Sequence, residues 1–330
     1  MLRGRPVSDF GKREMAEKAA ILYHEKDLSQ KEIGKALGVS RSQVSLLLRY
    51  AKETGITEIT VNVDKYRLRM IKREIELKEK FTKVKQIYVM SSDSEEFTDR
   101  TLGAFAAPYL SEMIKEATTI GVNLGTSVER SIVNLDSHDF VDSSGKAVVQ
   151  LMGGFSMDIS KAHPYELVKK LSSVLKCKCF CLNCPAIVEK GSLRDALREE
   201  PSIKGVMNIW NEMDLVIMGI GVADERSKLF SLFNDSMGRE VRASGACSEV
   251  NINFFDERGN YLPVLENNRM GASYGELSKV KRRVAICTGK HKTRAVAAAL
   301  RSGIIDVLVT DSLTVDAVED YLESLHDGEA

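Results

Sequence analysis

Short apolar segments alternate with helical segments from residue 84 to the end of the chain. The apolar segments predict strands at 86–90, 119–124, 147–151, 178–182, 214–218, 283–287 and 307–309. Helical periodicity lies between them at 97–115, 127–135, 165–175, 192–198, 229–233, 291–301 and 314–325. Because buried parallel strands read as short apolar runs and need helical crossovers, this alternation predicts an α/β fold: one parallel sheet with helices on both faces.

Four of these predicted strands end in glycine-containing or polar loops. In a parallel sheet such loops meet beyond the carboxyl ends of the strands, where ligands bind. Gly125, Thr126 and Ser127 open a helix, and their N–H and hydroxyl groups are donors that suit a phosphate. One glycine loop alone indicates little, since glycine also serves merely to turn the chain. Together the loops predict a site for a small anionic ligand, formed by residues 125–127, 150–154, 219–221 and 288–292.

Glu249 lies in a polar loop segment that precedes a further predicted strand and turn at 252–260. A carboxylate at such a place can accept hydrogen bonds from the hydroxyl groups of a sugar. It can equally be a solvated loop acid, and the residues themselves leave both interpretations open.

A different pattern, at residues 27–49, precedes the sheet. Ser29 and Glu32 have the spacing of a capping box, and Ser40 and Gln43 repeat it eleven residues later. Gly38 stands between the two, where the chain must leave a helix with positive φ. Two short capped helices joined by a glycine turn predict a helix-turn-helix. The alternative is a plain helical hairpin that caps itself.

The second helix of such a motif enters the major groove of DNA by its first turn. There an Arg pairs with guanine, a Gln pairs with adenine, and small hydroxyls reach a phosphate or a base edge. The predicted DNA-contacting residues are Ser29, Gln30, Ser40, Arg41, Ser42, Gln43, Ser45 and Arg49.

The charge distribution divides the chain in the same way. Residues 1–85 carry 20 Lys and Arg against 12 Asp and Glu, and the remainder carries the opposite excess, so that the net charge is zero. A basic head on an acidic body fits DNA binding by the head alone. We expect a helix-turn-helix domain at 1–63, ending in a strand at 56–63, then a linker helix at 64–83. The large parallel-sheet domain, which carries the predicted small-ligand site, follows at 84–330.

Composition excludes several classes of protein. No run of about 18 apolar residues is present, so no membrane partner is expected. The first ten residues lack the apolar core of a secretory signal. Six Cys without such a signal predict reduced thiols and a cytoplasmic protein.

Four of the cysteines, Cys177, Cys179, Cys181 and Cys184, invite a metal interpretation. Alternate residues of a strand are separated by about 6.6 Å of rise, whereas thiolates around one zinc converge much more closely. Unless the strand breaks, the first three cannot share an ion. We therefore expect no metal and no cofactor, and small apolar roles for these thiols.

The chain resembles the SorC family of bacterial transcriptional regulators, also called the SorC/DeoR sugar-binding regulators. In the head the resemblance is carried by residues 20–23, 28–33, 37–41, 44–45 and 55–56. In the body it is carried by 121–127, 149–154, 185–188, 214–221 and 308–311. These matches keep their order along nearly the whole chain.

The resemblance implies a homo-oligomer, usually a tetramer, whose large parallel-sheet α/β domain is similar to sugar-phosphate isomerases and deaminases and binds a phosphorylated sugar. Gly125, Thr126 and Ser127 then belong to the phosphate loop. By the same similarity the remaining effector contacts are Gln150, Met152, Gly153, Gly154, Gly219, Glu249 and Lys292.

Two residues depart from the family pattern. Some members have Lys or Arg where this chain has Met152, and Met can neither pair with nor covalently capture an effector. Leu46 stands where Arg is common, so the operator sequence of relatives cannot be transferred to this chain.

These observations favour a cytoplasmic, DNA-binding transcriptional regulator of carbohydrate metabolism, with no catalytic residues, whose affinity for double-stranded operator DNA is controlled by a phosphorylated sugar. An alternative is a sugar-phosphate isomerase or deaminase with an accessory head, supported by the loops and by Glu249, His291 and Lys292. A third hypothesis is a cysteine-based metal or redox sensor.

Overall fold

The chain divides into two compact units, residues 1–62 and 63–330. A computed structural model describes residues 9–57, 69–154 and 164–327. The predicted strand at 56–63 therefore lies outside the described residues from position 58 onward, and Ile56 and Thr57 form a bend.

The first unit is a three-helix head. Its helices are α1 (Asp9–His24), α2 (Gln30–Leu37) and α3 (Arg41–Glu53). Both predicted capping boxes are present, and Gly38 adopts a φ of 68° in the turn between α2 and α3. The helix-turn-helix prediction is confirmed. Its buried positions are filled mostly by small side chains: Ala16, Ala19, Ala20, Ile33, Val44 and Ala51.

The second unit is organised around a seven-stranded sheet in which every neighbouring pair of strands is parallel. The spatial order is β1-β11-β10-β5-β2-β3-β4. The order reverses between β2 and β5, which places a topological switch point there. The strands are β1 (Gln86–Met90), β2 (Thr119–Val122), β3 (Ala147–Gln150), β4 (Lys178–Phe180), β5 (Leu215–Met218), β10 (Arg282–Ile286) and β11 (Val307–Asp311).

Helices cover both faces of this sheet, as the alternating pattern predicts. Successive residues of β5 point to opposite faces: Leu215 and Ile217 join one core, and Val216 and Met218 join the other. One face is covered by α5 (Glu95–Glu116), α6 (Thr126–Val133) and α7 (Pro164–Leu175). The other is covered by α4 (Ile71–Lys80), α9 (Pro201–Ile209), α12 (Thr293–Ser302) and α13 (Ser312–Asp327), with α8 (Gly191–Glu199) preceding α9.

A smaller antiparallel sheet follows the switch point and was not predicted apart from a strand near 252–255. Its order is β6-β7-β8-β9. Its strands are too short for strand periodicity to be recognised in the sequence: β6 (Gly221–Val222), β7 (Ser248–Val250), β8 (Asn253–Phe255) and β9 (Tyr261–Leu262). Three helices were also missed: α9, α10 (Asp235–Ala243) and α11 (Tyr274–Ser278). The predicted helix at 229–233 is a 3₁₀ helix, Lys228–Leu232.

The predicted linker helix at 64–83 is shorter in the structure, and residues 64–68 lie outside its description. Before α4 begins, Arg69 forms an antiparallel bridge with Met90, and the Met70 N–H donates to the carbonyl of Val89. Leu77 and Phe81 are buried in the core of the second unit. The described part of this segment is thus packed on the body.

Among residues 9–57, 69–154 and 164–327, no helix is both long enough and apolar enough to span a bilayer.

Candidate functional site

The exposed face of α3 is the first candidate site. Val44 and Ala51 turn inward and are fully buried, whereas Ser42, Leu46 and Arg49 lie on the opposite side of the helix and are exposed. Of the predicted DNA contacts, Gln30 is half-buried and the others are exposed: Ser29, Ser40, Arg41, Ser42, Gln43, Ser45 and Arg49.

The caps occupy some of these predicted contacts. The Ser40 N–H donates to Oε1 of Gln43 at 2.9 Å, and Ser40 Oγ accepts from the Gln43 N–H at 3.2 Å. Bidentate reading of adenine by Gln43 would break this cap, because its amide oxygen is already engaged. Ser29 is held in the same way by Glu32. Gln30, Arg41, Ser45 and Arg49 remain predicted base or phosphate contacts with no capping role, whereas the Ser42 hydroxyl is hydrogen-bonded to the capping Ser40 Oγ at 2.9 Å.

The second candidate site is a cavity of about 380 Å³ at the carboxyl ends of β2, β5 and β10. It lies at the switch point of the large sheet, the position at which open α/β sheets bind their ligands. Seven of the predicted effector residues line it: Gly125, Thr126, Ser127, Met152, Gly219, Glu249 and Lys292.

The start of α6 forms one wall of the cavity. Its N-cap is Gly125, which offers no side chain to accept from the first turn. The first N–H groups of a helix have no intrahelical acceptor, so those of Thr126, Ser127 and Val128 are donors for whatever occupies the cavity. Ser127 is nearly buried and Thr126 is exposed. Their hydroxyls add side-chain donors to the same wall.

The loops after β2 and β5 approach each other backbone to backbone. A Cβ built on Gly219 would lie 3.3 Å from the Leu124 carbonyl oxygen, and one built on Gly125 would lie 3.4 Å from the Cα of Gly219. A larger residue at Gly219 would require the facing loop to move by a few tenths of an ångström, whereas a Cβ at Gly125 would make an ordinary van der Waals contact with that loop. The two glycines therefore let the loops meet closely at the switch point.

Glu249 reaches the cavity from the small sheet. Its Oε2 lies 2.7 Å from where a Cβ of Gly221 would be, and its Oε1 accepts from the N–H of Ile252. Burial raises the pKa of the Glu249 carboxyl to about 7, against the opposing effects of the Ile252 hydrogen bond and the Lys292 charge. The carboxyl group is therefore poised between its charged and neutral forms near neutral pH.

Lys292 is presented by the loop after β10, and buried hydrogen bonds fix that loop. The Thr288 hydroxyl donates to Oδ2 of Asp311 at 2.6 Å, and the Gly289 N–H donates to Oγ1 of Thr314 at 2.9 Å. The Thr314 hydroxyl donates to the same Asp311 oxygen. The loop is thereby fastened to β11 and α13, which fixes the backbone that carries the cation.

Three predicted effector residues lie outside the cavity. Gln150 is buried, and its amide is satisfied by the carbonyl of Met152 and the N–H of Leu182. Gly153 and Gly154 turn toward the 184–185 segment: a Cβ on Gly153 would lie 2.4 Å from the Pro185 carbonyl oxygen, and Gly154 bridges Pro185. These residues position the chain after β3, and their predicted contact with the ligand is not supported by the structure.

Several residues of the cavity wall are not predicted from the sequence. Asn123, directly before the recognised Gly125 loop, is buried there, and its position at a strand end is a signal that could have identified it. Arg130 and Arg226 also line the cavity, paired with Asp99 and Asp224. Lys228 completes the basic wall, and nothing in the local sequence pattern distinguishes it.

The cysteine segment differs from its prediction in one respect. β4 ends at Phe180, so Cys181 lies beyond the strand, and the sulfurs of Cys179 and Cys181 are 3.6 Å apart. Burial, followed by the neighbouring Cys179 thiol, raises the pKa of Cys181 to about 12. Within the described ranges no three His, Cys, Asp or Glu side chains are grouped to hold a metal ion.

Two family models match the chain in the order of its two units. The model described as "Homeodomain-like domain" covers residues 12–60, and the model described as "Putative sugar-binding domain" covers residues 67–318. The second match spans most of the chain and contains the whole cavity. The chain belongs to the SorC family.

Curated relatives of this SorC-family chain cover nearly its whole length. The deoxyribonucleoside regulator of Bacillus subtilis is 25% identical over 94% of this chain and 98% of that protein. The sorbitol operon regulator of Klebsiella pneumoniae is 24% identical over 91% and 95%. The solved structure of full-length SorC from Klebsiella pneumoniae matches with a TM-score of 0.71 over 92% of this chain and 98% of that one, at 24% identity.

These relatives are transcriptional regulators and not enzymes. The chain is accordingly a DNA-binding transcriptional regulator with a helix-turn-helix head and a sugar-binding domain, and the enzyme alternative is set aside.

Proposed function

We propose that a phosphorylated sugar binds the cavity of the second unit and controls the affinity of the head for operator DNA. The observation that carries this proposal is the uncapped start of α6 at the sheet switch point. A helix start has partial positive charge and unpaired N–H groups, and both favour a phosphate. The names of the relatives, a sorbitol operon regulator and a deoxyribonucleoside regulator, support a role in carbohydrate metabolism.

The charges around the cavity support an anionic ligand. Arg130 and Arg226 are paired with carboxylates, but no salt bridge of Lys228 or Lys292 occurs within residues 9–57, 69–154 and 164–327. A ligand phosphate near Gly125–Ser127 would supply the missing counter-charge for Lys292. Charge-assisted hydrogen bonds of this kind are about twice as strong as neutral ones.

The rest of the cavity suits the hydroxyl groups of a sugar. Glu249 and Asn123 supply polar acceptor and donor groups, and Met152 supplies apolar surface. Because Met152 carries no amine, the effector is held without a covalent bond through this position.

The response requires two arrangements of the protein, since a ligand shifts an equilibrium only by its differential affinity for the two states. We propose that the regulator is a homo-oligomer, a homotetramer by family resemblance, acting in the cytoplasm. Exposed Ile71 and Ile75, one turn apart on α4, support the presence of an apolar contact surface.

The effector assignment is tested by thermal-shift screening of the full chain against a panel of sugar phosphates, because a ligand that binds the native state raises its melting temperature. The strongest ligand and its unphosphorylated form are then titrated calorimetrically into wild type and the double variant Thr126→Ala, Ser127→Ala. The matched control is Ser144→Ala, an exposed serine outside the cavity.

We expect the double variant to lose about tenfold to several hundredfold in affinity for the phosphorylated sugar, the equivalent of two charge-assisted hydrogen bonds. Wild type should bind the unphosphorylated sugar much more weakly, and the control should behave as wild type. Equal affinity of wild type for the two sugars would refute the phosphate assignment.

A further inference from the structure

Leu46 is a large apolar side chain in an exposed position on the recognition helix. It is 58% exposed, although Leu47 and Leu48 beside it are half-buried against the core of the head. That core is formed by Ala19, Ile33 and Val44 with these partly buried neighbours. Leu46 therefore contributes nothing evident to the packing of its own domain.

The helical geometry places Leu46 on the side of α3 opposite to the core of the head. Successive residues of an α-helix are rotated by about 100°, so Leu46 and Ser42 each lie about 160° from the fully buried Val44. Arg49 lies about 140° from Val44 by the same rotation. These three side chains form one line along the face that a helix-turn-helix presents to DNA.

The neighbours of Leu46 on this face are polar or charged. Ser42, Ser45 and Arg49 are exposed around it and can bond to phosphates or base edges. Leu46 cannot make a hydrogen bond, and in the major groove the apolar group that a base edge offers is the 5-methyl of thymine. A buried Leu–methyl contact excludes water from apolar surface on both partners, which stabilises the complex.

We propose that Leu46 reads a thymine of the operator half-site through its 5-methyl group. This inference rests on the proposed operator binding by α3. Leu46 is thereby a specificity-determining residue, placed between the polar contacts of Ser42 on one side and Arg49 on the other.

The experiment starts from the full chain and a random-sequence DNA duplex library. Sequences selected by wild type should contain a thymine at a fixed position of each half-site. Replacing that thymine by deoxyuridine removes only the methyl group, and should weaken binding of wild type about fourfold, the effect of about one buried methyl group.

Two variants locate the methyl contact. Leu46→Ala should bind the thymine duplex at least fourfold more weakly than wild type, and should bind the deoxyuridine and thymine duplexes equally. Ile21→Ala is the matched control, because Ile21 is also an exposed apolar side chain of the head but lies on α1. It should keep the fourfold methyl effect.

The outcomes separate this inference from operator binding itself. If the chain selects no sequence, operator binding fails and the inference fails with it. If sequences are selected without a fixed thymine, or the deoxyuridine penalty persists in Leu46→Ala, only the reading by Leu46 is refuted. A change of sedimentation in Leu46→Ala with an unchanged methyl effect would assign Leu46 to a contact between subunits instead.

Discussion

The helices α3 and α6 belong to the two candidate sites, one for DNA and one for a small ligand, and their first turns are capped in opposite ways. At α3 the cap is complete: Ser40 and Gln43 exchange hydrogen bonds between side chain and backbone. At α6 the N-cap is Gly125, and no side chain caps the helix. The capped end has few free backbone donors, so its contacts with DNA come from side chains that point outward. The uncapped end leaves its backbone donors for a ligand.

This difference separates two kinds of recognition. Side chains carry sequence information when they match the edges of particular bases, which is the role predicted for Arg41. Backbone donors at α6 match the geometry of an anion and do not distinguish the molecule attached to it. If the proposed sugar phosphate binds there, its sugar would have to be distinguished elsewhere in the cavity, where Asn123, Met152 and Glu249 lie.

The largest expected effect comes from capping α6. Gly125→Asp places a carboxylate at the N-cap, where it accepts from the first turn and repels a phosphate. Gly125 has an extended backbone that any residue adopts, and an added Cβ lies 3.2 Å from Val128 Cγ2. We expect affinity for the selected sugar phosphate to fall by more than about a hundredfold. Calorimetric titration measures it, with Gly125→Ala as the control that adds the Cβ alone. Similar losses in both variants would mean that the donors of α6 are not the site.

The next effect concerns the side chains of α3. Arg41→Ala should weaken operator binding by about 1–3 kcal/mol and relax the preference at one base pair. Arg41 is exposed, so the melting temperature should not change. Fluorescence anisotropy with the selected duplex and its single-base variants measures both quantities. Unchanged operator affinity and unchanged base-pair preference would show that Arg41 does not contact the operator.

A smaller effect is expected when the α3 cap is removed. Ser40→Ala should destabilise the head by about 1 kcal/mol. Trp210, the single Trp of the chain, lies in the body, so its fluorescence reports on that unit while far-UV circular dichroism includes the head. In denaturant unfolding, the part of the far-UV circular dichroism change that comes from the head should move to lower denaturant concentration. The transition reported by Trp210 fluorescence should stay where it is in wild type. The matched body variant is Ser144→Ala; a shift of Trp210 in Ser40→Ala would contradict the assignment of the cap to the head alone.

The last expected effect is a change in the pH dependence of stability. The pKa of Glu249 is raised to about 7 from its ordinary value of 4.5, chiefly by burial. The folded state therefore binds a proton that the unfolded state has released, and this stabilisation is lost as pH rises from 4.5 through 7. Glu249→Gln should remove that loss, so the melting temperature of the variant relative to wild type should rise by a few degrees between pH 5 and pH 8. A constant difference across this range would show that Glu249 does not titrate there.

The head was predictable because its signals are local. The capping boxes at Ser29 and Ser40 and the turn at Gly38 depend on residues three or four positions apart, which one sequence displays directly. The capping box predicted at Ser40 engages the amide oxygen of Gln43, and this conflicts with the prediction that the same side chain reads a base. A Gln at this position suits both a helix cap and a base contact, and only the hydrogen bonds in the structure distinguish the two roles.

The body was predictable as a sheet with helices, since buried strands and amphipathic helices carry the expected periods. The cavity was predictable where loops follow buried strands of the large sheet, as at Gly125 and Gly219. It was not predictable at Gln150, because a polar residue at a strand end can turn inward to satisfy backbone groups. Arg226 and Lys228 follow a two-residue strand that leaves no periodic signal.

The contact between the loops of Gly125 and Gly219 bears on redesign of this protein as a biosensor. A Cβ at Gly219 would lie 3.3 Å from the Leu124 carbonyl oxygen, so a larger residue there would shift the loop that carries the proposed phosphate donors. Libraries meant to change which sugar is detected should leave both glycines fixed. Diversity belongs at Met152 and Arg226, which line the cavity from outside these two loops. Asn123 should also stay fixed, because its Oδ1 accepts from the Leu124 N–H of the same loop at 2.6 Å.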